Sequence, residues 1–305
     1  MSPWLLRRLA SLPLLLLVVT SLVFALVEVV PGDPIDFMIG ENAALDRKQE
    51  LRAAYHLDDP VHVRYARFYG ELGRGELRSL HTREPVAEIL AARMPFTLLL
   101  AAVALLVSAG VALPLGTLSA WKPDGWLDAL ARTASLVGIS IPNFWLGPLL
   151  IILFAIHLGW LPVAGADRPA SVVLPAMTLG LGMASILTRI TRAAVLDALS
   201  SDHVRTARAK GASELRVVLA HGLRAAMVPV LTILGLQFGA LLTGAIITEE
   251  VFGWPGLGRE IVTAIRSRDL PVIQGCVLVI SVTWLLVNTG TDLLYRRFDP
   301  RVELR

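Results

Sequence analysis

Long runs without a charged residue are the feature of this 305-residue sequence that most restricts its fold. Each run reaches or exceeds the ~20 residues with which a helix crosses about 30 Å of hydrocarbon. Only 17% of the residues are charged, against about 25% in typical soluble domains. The uncharged runs are residues 96–121, 133–166, 169–188, 225–248 and 271–291, and a sixth run, 9–30, contains only Glu28. The sequence predicts an all-α membrane protein with six transmembrane helices rather than a soluble protein with large core helices.

A signal peptide is the other interpretation of the N-terminal run, because Arg7 and Arg8 precede it. Signal peptides have an apolar core of about 7–15 residues, followed by a cleavage site with small residues. The run here extends over residues 9–30, and no such site follows it. We therefore expect a retained first span.

The distribution of Lys and Arg among the short loops predicts the orientation, because these residues accumulate on the cytoplasmic side. With the N-terminus inside, the inner segments hold 15 Lys and Arg and the short outer segments hold 4. The inner segments are residues 1–8, 121–132, 189–224 and 292–305, and the short outer ones are 167–168 and 249–270. Residues 31–95 are left out because long loops carry little weight in this rule. Both termini are predicted to be cytoplasmic.

The spans and loops divide the chain into four parts. These are residues 1–30 with the first span, residues 31–95 as an extracytoplasmic segment, residues 96–292 as a core with spans two to six, and residues 293–305 as a cytoplasmic tail. In the extracytoplasmic segment, LDRKQELRAAYHL and VRYARFYGELGRGELRSL are typical of short amphipathic helices. The core contains an inside loop at 189–224 and an outer loop at 249–270, where a turn at 254–256 precedes a helical pattern.

The motifs of common catalytic sites are missing. An ATP-binding P-loop requires a lysine followed by Ser or Thr, and the three lysines are followed by Gln, Pro and Gly. The six histidines include no HExxH zinc motif, and the single cysteine, Cys276, supports no disulfide framework. We expect no cofactor, no metal and no enzymatic activity of the chain by itself, although spacing does not exclude a Ser–His pair.

Uncharged polar residues inside the spans have two interpretations. They either bond neighbouring helices or line a pathway, since polar groups in lipid are costly and tend to face a cavity. The candidates for a pathway lining are Asn143, Gln237, Thr243 and Asn288. No charged residue lies in the middle of a span, which argues against a proton- or sodium-coupled carrier. Likewise Gly235 and Gly239 form a GxxxG motif, which suits either packing within the chain or a dimer contact.

The inside loop contains a basic block, RTARAKGASE, at residues 205–214. Ser200, Ser201 and Asp202 are good N-cap residues, and the pattern after them predicts one helix over residues 202–219. On a helix with 100° per residue, apolar and small residues fall within a stripe about 80° wide, and arginines lie along one side of it. The stripe is Val204, Ala207, Gly211, Leu215 and Val218, and the arginines are Arg205, Arg208 and Arg216. A helical glycine costs about 1 kcal/mol, so either the helix breaks at Gly211 or another surface approaches it closely.

Three roles fit such a helix. It is a solvated cytoplasmic helix with ordinary inside arginines, a basic helix on anionic lipid, or a docking helix for a protein partner. The lipid interpretation is weakened because the apolar face is narrow and holds no Trp or Phe. The pattern alone does not choose among the three.

The block VRTARAKGASELRVVLAHGLRAAMVPVLTILG resembles the coupling loop of ABC-importer permeases, in their dipeptide/oligopeptide/nickel branch. Aligned on Gly211, the general signature Glu-Ala-Ala-x3-Gly-x9-Ile-x-Leu-Pro differs here at its Glu, one Ala, the Ile and the Pro. The branch is similar in having Arg-Thr-Ala-Arg-Ala-Lys-Gly, with the proline at Pro229. This resemblance implies that the ATPase-coupling residues are Arg205, Thr206, Ala207, Arg208, Ala209, Lys210, Gly211 and Ala212.

The resemblance covers most of the chain. VVPGDPIDFMIG and EEVFGWPGLGREIVTAIRSRDLPVIQG are similar to the family's segments after span one and between spans five and six, and GELRSL has Arg78 where the family usually has glycine. It implies an ABC type I importer permease fold in the bacterial cytoplasmic membrane. It further implies half of a translocation pathway for di- or oligopeptides or a related small solute.

The partners implied by the resemblance are a second permease subunit in a heterodimer, cytoplasmic ATP-binding subunits and an extracytoplasmic solute-binding protein. The candidate contacts with the binding protein are Glu249, Glu250, Trp254 and Arg259. The lipid bilayer surrounds the chain, and no nucleic acid is expected. The alternatives are a stand-alone secondary transporter or channel, and a membrane-embedded enzyme or assembly scaffold.

Overall fold

The computed structural model describes residues 3–29, 34–40 and 43–298, without the side chains of some residues near the ends of these ranges and at 242–244. The described part is mostly helical. The helices before the inside loop are α1 (Pro3–Val29), α2 (Pro34–Ile39), α3 (Leu45–Ala54), α4 (Val61–Arg74), α5 (Val86–Trp121), α6 (Trp126–Ser140), α7 (Asn143–Leu150) and α8 (Val173–Ser200). Those that follow are α9 (Asp202–Ala209), α10 (Glu214–Arg216), α11 (Arg224–Gly244), α12 (Ile246–Val251), α13 (Leu257–Ser267) and α14 (Leu270–Phe298). Two π-helical turns, Ile151–His157 and Val217–Leu223, follow α7 and α10 directly, and a 3₁₀ turn, Pro169–Val172, precedes α8.

Four helical stretches of the described chain are long and apolar enough to cross a membrane. They are Val86–Trp121, Pro169–Ser200, Glu214–Leu241 and Leu270–Thr291. A fifth span exists if the pair Trp126–Ser140 and Asn143–His157 is counted as one. Within α1 the apolar stretch Pro13–Ala25 is shorter. Length and composition therefore give four or five spans in the described residues.

The run 133–166, expected as one span, is divided at Pro142. Helices α6 and α7 form an angle of 103° on either side of the break. Ile141 is extended, with φ −85° and ψ 117°, as a residue before proline prefers to be. The absence of charge predicts that the run is buried in lipid, but it does not predict a break in the helix.

One compact unit consists of the described residues of Met1–Thr97 and Pro255–Thr283. Its core contains Phe24, Phe68, Leu77, Val86, Leu90, Leu257, Ala264, Val272 and Cys276. Buried Asp269 accepts hydrogen bonds from the Ser79 hydroxyl and, at 3.1 Å, from the Leu80 amide. This carboxylate attaches the loop after α4 to the junction of α13 and α14.

Both helices expected in 31–95 are present as α3 and α4, with two corrections. Helix α3 buries none of its residues and so lacks the expected apolar face, whereas α4 buries Phe68. Helix α4 ends at Arg74, where Gly75 has a left-handed φ of 70°. The rest of the predicted helix, GELRSL, is non-helical and forms a bridge between Arg78 and Pro85. A left-handed residue terminates an α-helix and suits glycine.

The other compact unit consists of the described residues of Leu98–Trp254 and Trp284–Leu304. Helix α8 packs against α6, α7 and α11 in this unit. Gly180 lets α5 approach α8 closely, because an added Cβ would lie 2.7 Å from the Ala104 carbonyl oxygen and 2.7 Å from Val107 Cβ. Small residues permit such contacts between membrane helices.

The GxxxG motif packs within the chain. A Cβ at Gly235 would lie 3.0 Å from Thr291 Cβ, and one at Gly239 would lie 3.4 Å from Trp284 Cδ1. Both neighbours belong to α14. Of the two interpretations of this motif, packing within the chain is therefore the one realised in the structure.

Candidate functional site

The basic block forms a short helix that ends at Gly211. Helix α9 begins at Asp202 and ends at Ala209. The Gly211 amide donates to the Arg208 carbonyl at 2.9 Å, and the Ala212 amide donates to the Ala207 carbonyl at 3.2 Å. Gly211 itself has a left-handed φ of 80°. This pair of reversed hydrogen bonds is a Schellman motif, which satisfies the last carbonyl groups of a helix and favours glycine at the left-handed position.

The single helix predicted over 202–219 is therefore wrong, and the break at Gly211 is the correct alternative. Within the described chain nothing lies within 4 Å of a Cβ added to Gly211. The glycine is needed for its backbone conformation and not for close packing inside this chain. The sequence contained this signal, since a glycine after a run of helix formers is typical of a C-terminal cap.

Valines attach the segment to the rest of the unit. Val204 of α9 and Val217 and Val218 of the second π turn are 0%, 0% and 1% exposed. Helices α8 and α9 and this π turn pack against one another. A Cβ on Gly222 would meet Leu199 Cδ2 at 2.9 Å. The inner face of the segment is thus tightly packed against the end of α8.

The outer face of α9 is exposed and basic. Arg205, Arg208 and Lys210 have exposed side chains, and Ala207 is half-buried. Arg205 lies 3.4 Å from Asp202 in a solvent-exposed ion pair, a kind that contributes little to stability. Leu215, beyond the break, is also exposed. The segment therefore presents cations and two leucines, Leu215 and Leu219, outward.

An ion pair between Arg208 and Glu214 connects the two sides of the helix break at Gly211. Arg208 Nε donates to Glu214 Oε1 at 2.9 Å, and Arg208 Nη2 donates to Glu214 Oε2 at 3.2 Å. These bonds raise the pKa of the Arg208 guanidinium. Bidentate geometry restricts both side chains, so the bonds hold the start of α10 against the end of α9.

Ser201 occupies the predicted N-cap position of α9, but its side chain does not make the expected hydrogen bond to the helix. Ser201 precedes the helix in an extended conformation, with no side-chain capping bond. Its hydroxyl donates to the Ala198 carbonyl, and the same oxygen lies 2.8 Å from His203 Nδ1. Ser201 thus connects the end of α8 to the start of α9.

A buried ion pair, which sequence reasoning missed, joins the ends of α5, α6 and α8. Arg192 Nε and Nη2 donate to the two oxygens of Asp128 at 2.6 and 2.9 Å. The Ser119 hydroxyl and the Asp124 amide also donate to this carboxylate. Asp128 is fully buried. No local pattern signalled this pair, because its two residues lie 64 positions apart and meet only where α6 packs against α8.

The four predicted pathway residues have different surroundings. Gln237 is buried and its amide donates to the Met183 carbonyl at 3.0 Å, with the Ser108 hydroxyl 3.5 Å away. Asn143 is exposed at the start of α7, and Asn288 is half-buried in α14. The Thr243 side chain lies outside the described residues. Asn143 and Asn288 thus have more accessible side chains than Gln237.

The four predicted contacts with a binding protein also differ in exposure. Glu249 and Trp254 are buried, at 0% and 3% exposure. The Trp254 amide donates to the Glu249 carbonyl at 2.8 Å, and the Gly165 amide donates to the Phe252 carbonyl at 2.9 Å. Glu250 is partly exposed and Arg259, in the other unit, is exposed. Of the four, Glu250 and Arg259 are accessible from outside.

Two family descriptions match nearly the whole chain. Residues 112–304 match the family described as binding-protein-dependent transport system inner membrane component, and residues 1–101 match the N-terminal family of these membrane components. The chain belongs to this family. It is a multi-pass permease subunit of an ABC importer in the bacterial inner membrane. The expected family is confirmed.

Relatives support this over the full length. The glutathione transport system permease protein GsiC of Salmonella paratyphi A is 42% identical over 306 aligned residues, which cover 100% of both chains. GsiC of Escherichia coli strain K12 is 40% identical with the same coverage. These homologues are transport subunits and not enzymes.

Solved structures support the fold. A structure of the MetNI methionine ABC transporter in inward-facing conformations has a TM-score of 0.59 and 18% identity, covering 71% of this chain and 99% of that chain. An amino acid ABC transporter with histidines has a TM-score of 0.55 and 18% identity, covering 69% of this chain and 94% of that chain. The helical permease fold of ABC importers is thus shared at low sequence identity.

Proposed function

We propose that this permease subunit forms half of the translocation pathway of an ATP-driven importer and that residues 205–212 bind a cytoplasmic ATPase. The observation that carries the proposal is the difference between the two faces of α9, one buried and one exposed and basic. Val204 attaches its inner face to the unit, while Arg205 and Lys210 project from its outer face. A helix that is firmly attached on one side and charged on the other is suited to receive force from a partner.

The force reaches the membrane through continuous helices. A single residue, Ser201, separates α8 from α9, and the π turn Val217–Leu223 continues directly into α11. When the ATPase pair closes on ATP, a displacement of α9 therefore moves the inner ends of α8 and α11. The core then alternates between inward-open and outward-open arrangements. ATP hydrolysis belongs to the partner, because this chain has no P-loop.

The topology proposed for this function has six spans with both termini in the cytoplasm. It follows from the distribution of Lys and Arg and places 189–224 inside, with 31–95 and 249–270 outside. The four-part division at residues 30, 95 and 292 is retained. A second permease subunit completes the pathway, and a solute-loaded binding protein docks on the outer segments, where Glu250 and Arg259 are accessible.

The proposed solute is a small peptide. The GsiC relatives are glutathione permeases by name, and the resemblance to the dipeptide and oligopeptide branch agrees with this class. Uncharged polar groups suit a pathway that passes peptides without holding them tightly. Asn143 and Asn288 are the proposed lining residues because their amides are accessible, and Thr243 and Gln237 are secondary candidates.

Matched charge reversals test the coupling site. Arg205→Glu changes an exposed arginine paired with a carboxylate three residues away, and Arg47→Glu changes an equivalent pair with Glu50 in α3. We expect the first variant, and likewise Lys210→Glu, to lose ATPase co-purification and peptide-stimulated ATP hydrolysis in proteoliposomes. The α3 control should retain ATPase co-purification, because α3 lies in a segment proposed to be outside. Normal coupling in both the Arg205→Glu and the Lys210→Glu variants refutes the proposal. Peptide flux by this chain alone, without nucleotide, favours a stand-alone transporter.

A further inference from the structure

The unit that contains the predicted extracytoplasmic segment has a cavity of about 430 Å³. This volume lies within the range of roughly 300–1,000 Å³ found for small-molecule sites. The walls are the end of α1, the loop between α3 and α4, helix α4 itself, the loop after α4, and the start of α14. Phe24, Phe68 and several leucines make more than half of the lining surface apolar, and most of the other lining residues are charged or polar.

Two of the four arginines in the lining are neutralised by carboxylates. Arg64 pairs with Glu28, and Arg67 pairs with Asp59 at 2.7 Å. The other two, Arg78 and Arg83, have no carboxylate within ion-pair distance among the described residues. One Arg78 nitrogen donates to the Arg83 carbonyl at 2.9 Å, which leaves the remaining N–H groups of both guanidinium ions available.

Aromatic stacking restricts one of these two guanidinium groups. The Arg83 guanidinium carbon lies 4.7 Å from the centre of the Tyr55 ring. The Tyr55 hydroxyl in turn donates to the Leu80 carbonyl at 3.0 Å. A cation held on an aromatic face loses less conformational freedom when it binds an anion than a free side chain does.

Backbone strain also concentrates at this cavity. His56 and Arg83 have left-handed φ angles of 54° and 64°, and both line the cavity. A side chain other than glycine costs roughly 1–3 kcal/mol in such a region, and strain of this kind clusters at ligand sites. Glycine would relax the backbone at Arg83 but would remove the guanidinium group from the cavity lining.

We propose, resting on the peptide-transport function proposed above, that this cavity binds the carboxylate of a small peptide through Arg78 and Arg83. Planar guanidinium groups bind carboxylates through paired N–H donors. Glu71 lines the same cavity and has no cationic partner among the described residues, so an anion with an ammonium group nearby fits better than a plain anion. A zwitterionic dipeptide has this chemistry. The carboxylate comes either from free peptide or from an acidic side chain of a docked binding protein.

Direct binding to the full-length chain in lipid nanodiscs, without nucleotide, tests the site. The probes are dialanine, dialanine amide and the solute-binding protein. The variant Arg78→Gln/Arg83→Asn removes both charges, and Asn tolerates the left-handed backbone at position 83. The control is Arg189→Gln, which removes an exposed arginine of α8 that lies outside the cavity and outside the proposed outer segments.

We expect dialanine to bind, dialanine amide to bind at least about tenfold more weakly, and the double variant to lose about tenfold or more in affinity for dialanine. The control should bind like the unaltered chain. Weakened association of the double variant with the binding protein alone assigns the carboxylate to that protein. The proposal is overturned if the double variant binds dialanine and the solute-binding protein as the control does. Because no ATPase is present, this result is independent of the α9 coupling experiment.

Discussion

Replacing Arg192 by Gln leaves the Asp128 carboxylate buried with two of its four hydrogen-bond donors, the Ser119 hydroxyl and the Asp124 amide. A buried charge that loses its closest ionic partner destabilises a protein by about 3–5 kcal/mol, and the half-exposed Arg132, 3.4 Å away, compensates only weakly. We expect this loss for Arg192→Gln. Asp128→Asn should cost less, about 2–3 kcal/mol, because the Arg192 side chain is 23% exposed and retains access to water.

The double variant Asp128→Asn/Arg192→Gln separates the ion pair from its surroundings. The double variant leaves no unpaired charge at these two positions. Its loss in free energy of unfolding should therefore be smaller, by about 2 kcal/mol, than the sum of the losses of the two single variants. Arg132→Gln is the matched control, since Arg132 lies 3.4 Å from the same carboxylate but is 50% exposed. Exposed pairs contribute about 0–1 kcal/mol.

Reversible unfolding in mixed detergent micelles measures all four free energies. The expected order of destabilisation is Arg192→Gln, then Asp128→Asn, then Arg132→Gln. Additive losses in the double variant, or equal losses for the two arginine variants, would refute the assignment of a buried three-helix ion pair.

Three further predictions concern packing and backbone conformation. Gly180→Ala should destabilise the protein by about 1–3 kcal/mol, whereas Gly110→Ala, which meets nothing within 4 Å, should be neutral or stabilising by up to about 1 kcal/mol; the same unfolding assay checks the difference. Gly211→Val should disfavour the left-handed conformation that ends α9 and reduce the free energy of unfolding by about 1–2 kcal/mol. Gly211→Asn should reduce it clearly less, and the protection of the α9 amides from hydrogen exchange measures the difference. Equal protection in both variants would contradict the cap. Val204→Ala should cost about 2 kcal/mol, and its exposed counterpart Leu215→Ala should change the unfolding free energy little.

Much of the fold follows from local composition. Charge-free runs predicted α5, α8, α11 and α14 as spans, because water-to-lipid transfer depends on the composition of about 20 consecutive residues. The break between α6 and α7 was not predicted, since a proline inside an apolar run is compatible with either a kink or a sharp bend. The amphipathic pattern predicted α4, but its end at Gly75 depends on one left-handed residue.

The sequence by itself determined the membrane class, the basic block at 205–214 and the family, because each is encoded in residues that are consecutive along the chain. Tertiary structure alone decided that Asp128 binds Arg192, 64 residues away, and that Arg78 and Arg83 line one cavity with Tyr55 and Glu71. Partners distant along the chain meet only after helices pack. Their pairing depends on packing geometry, which the local pattern around either residue does not contain.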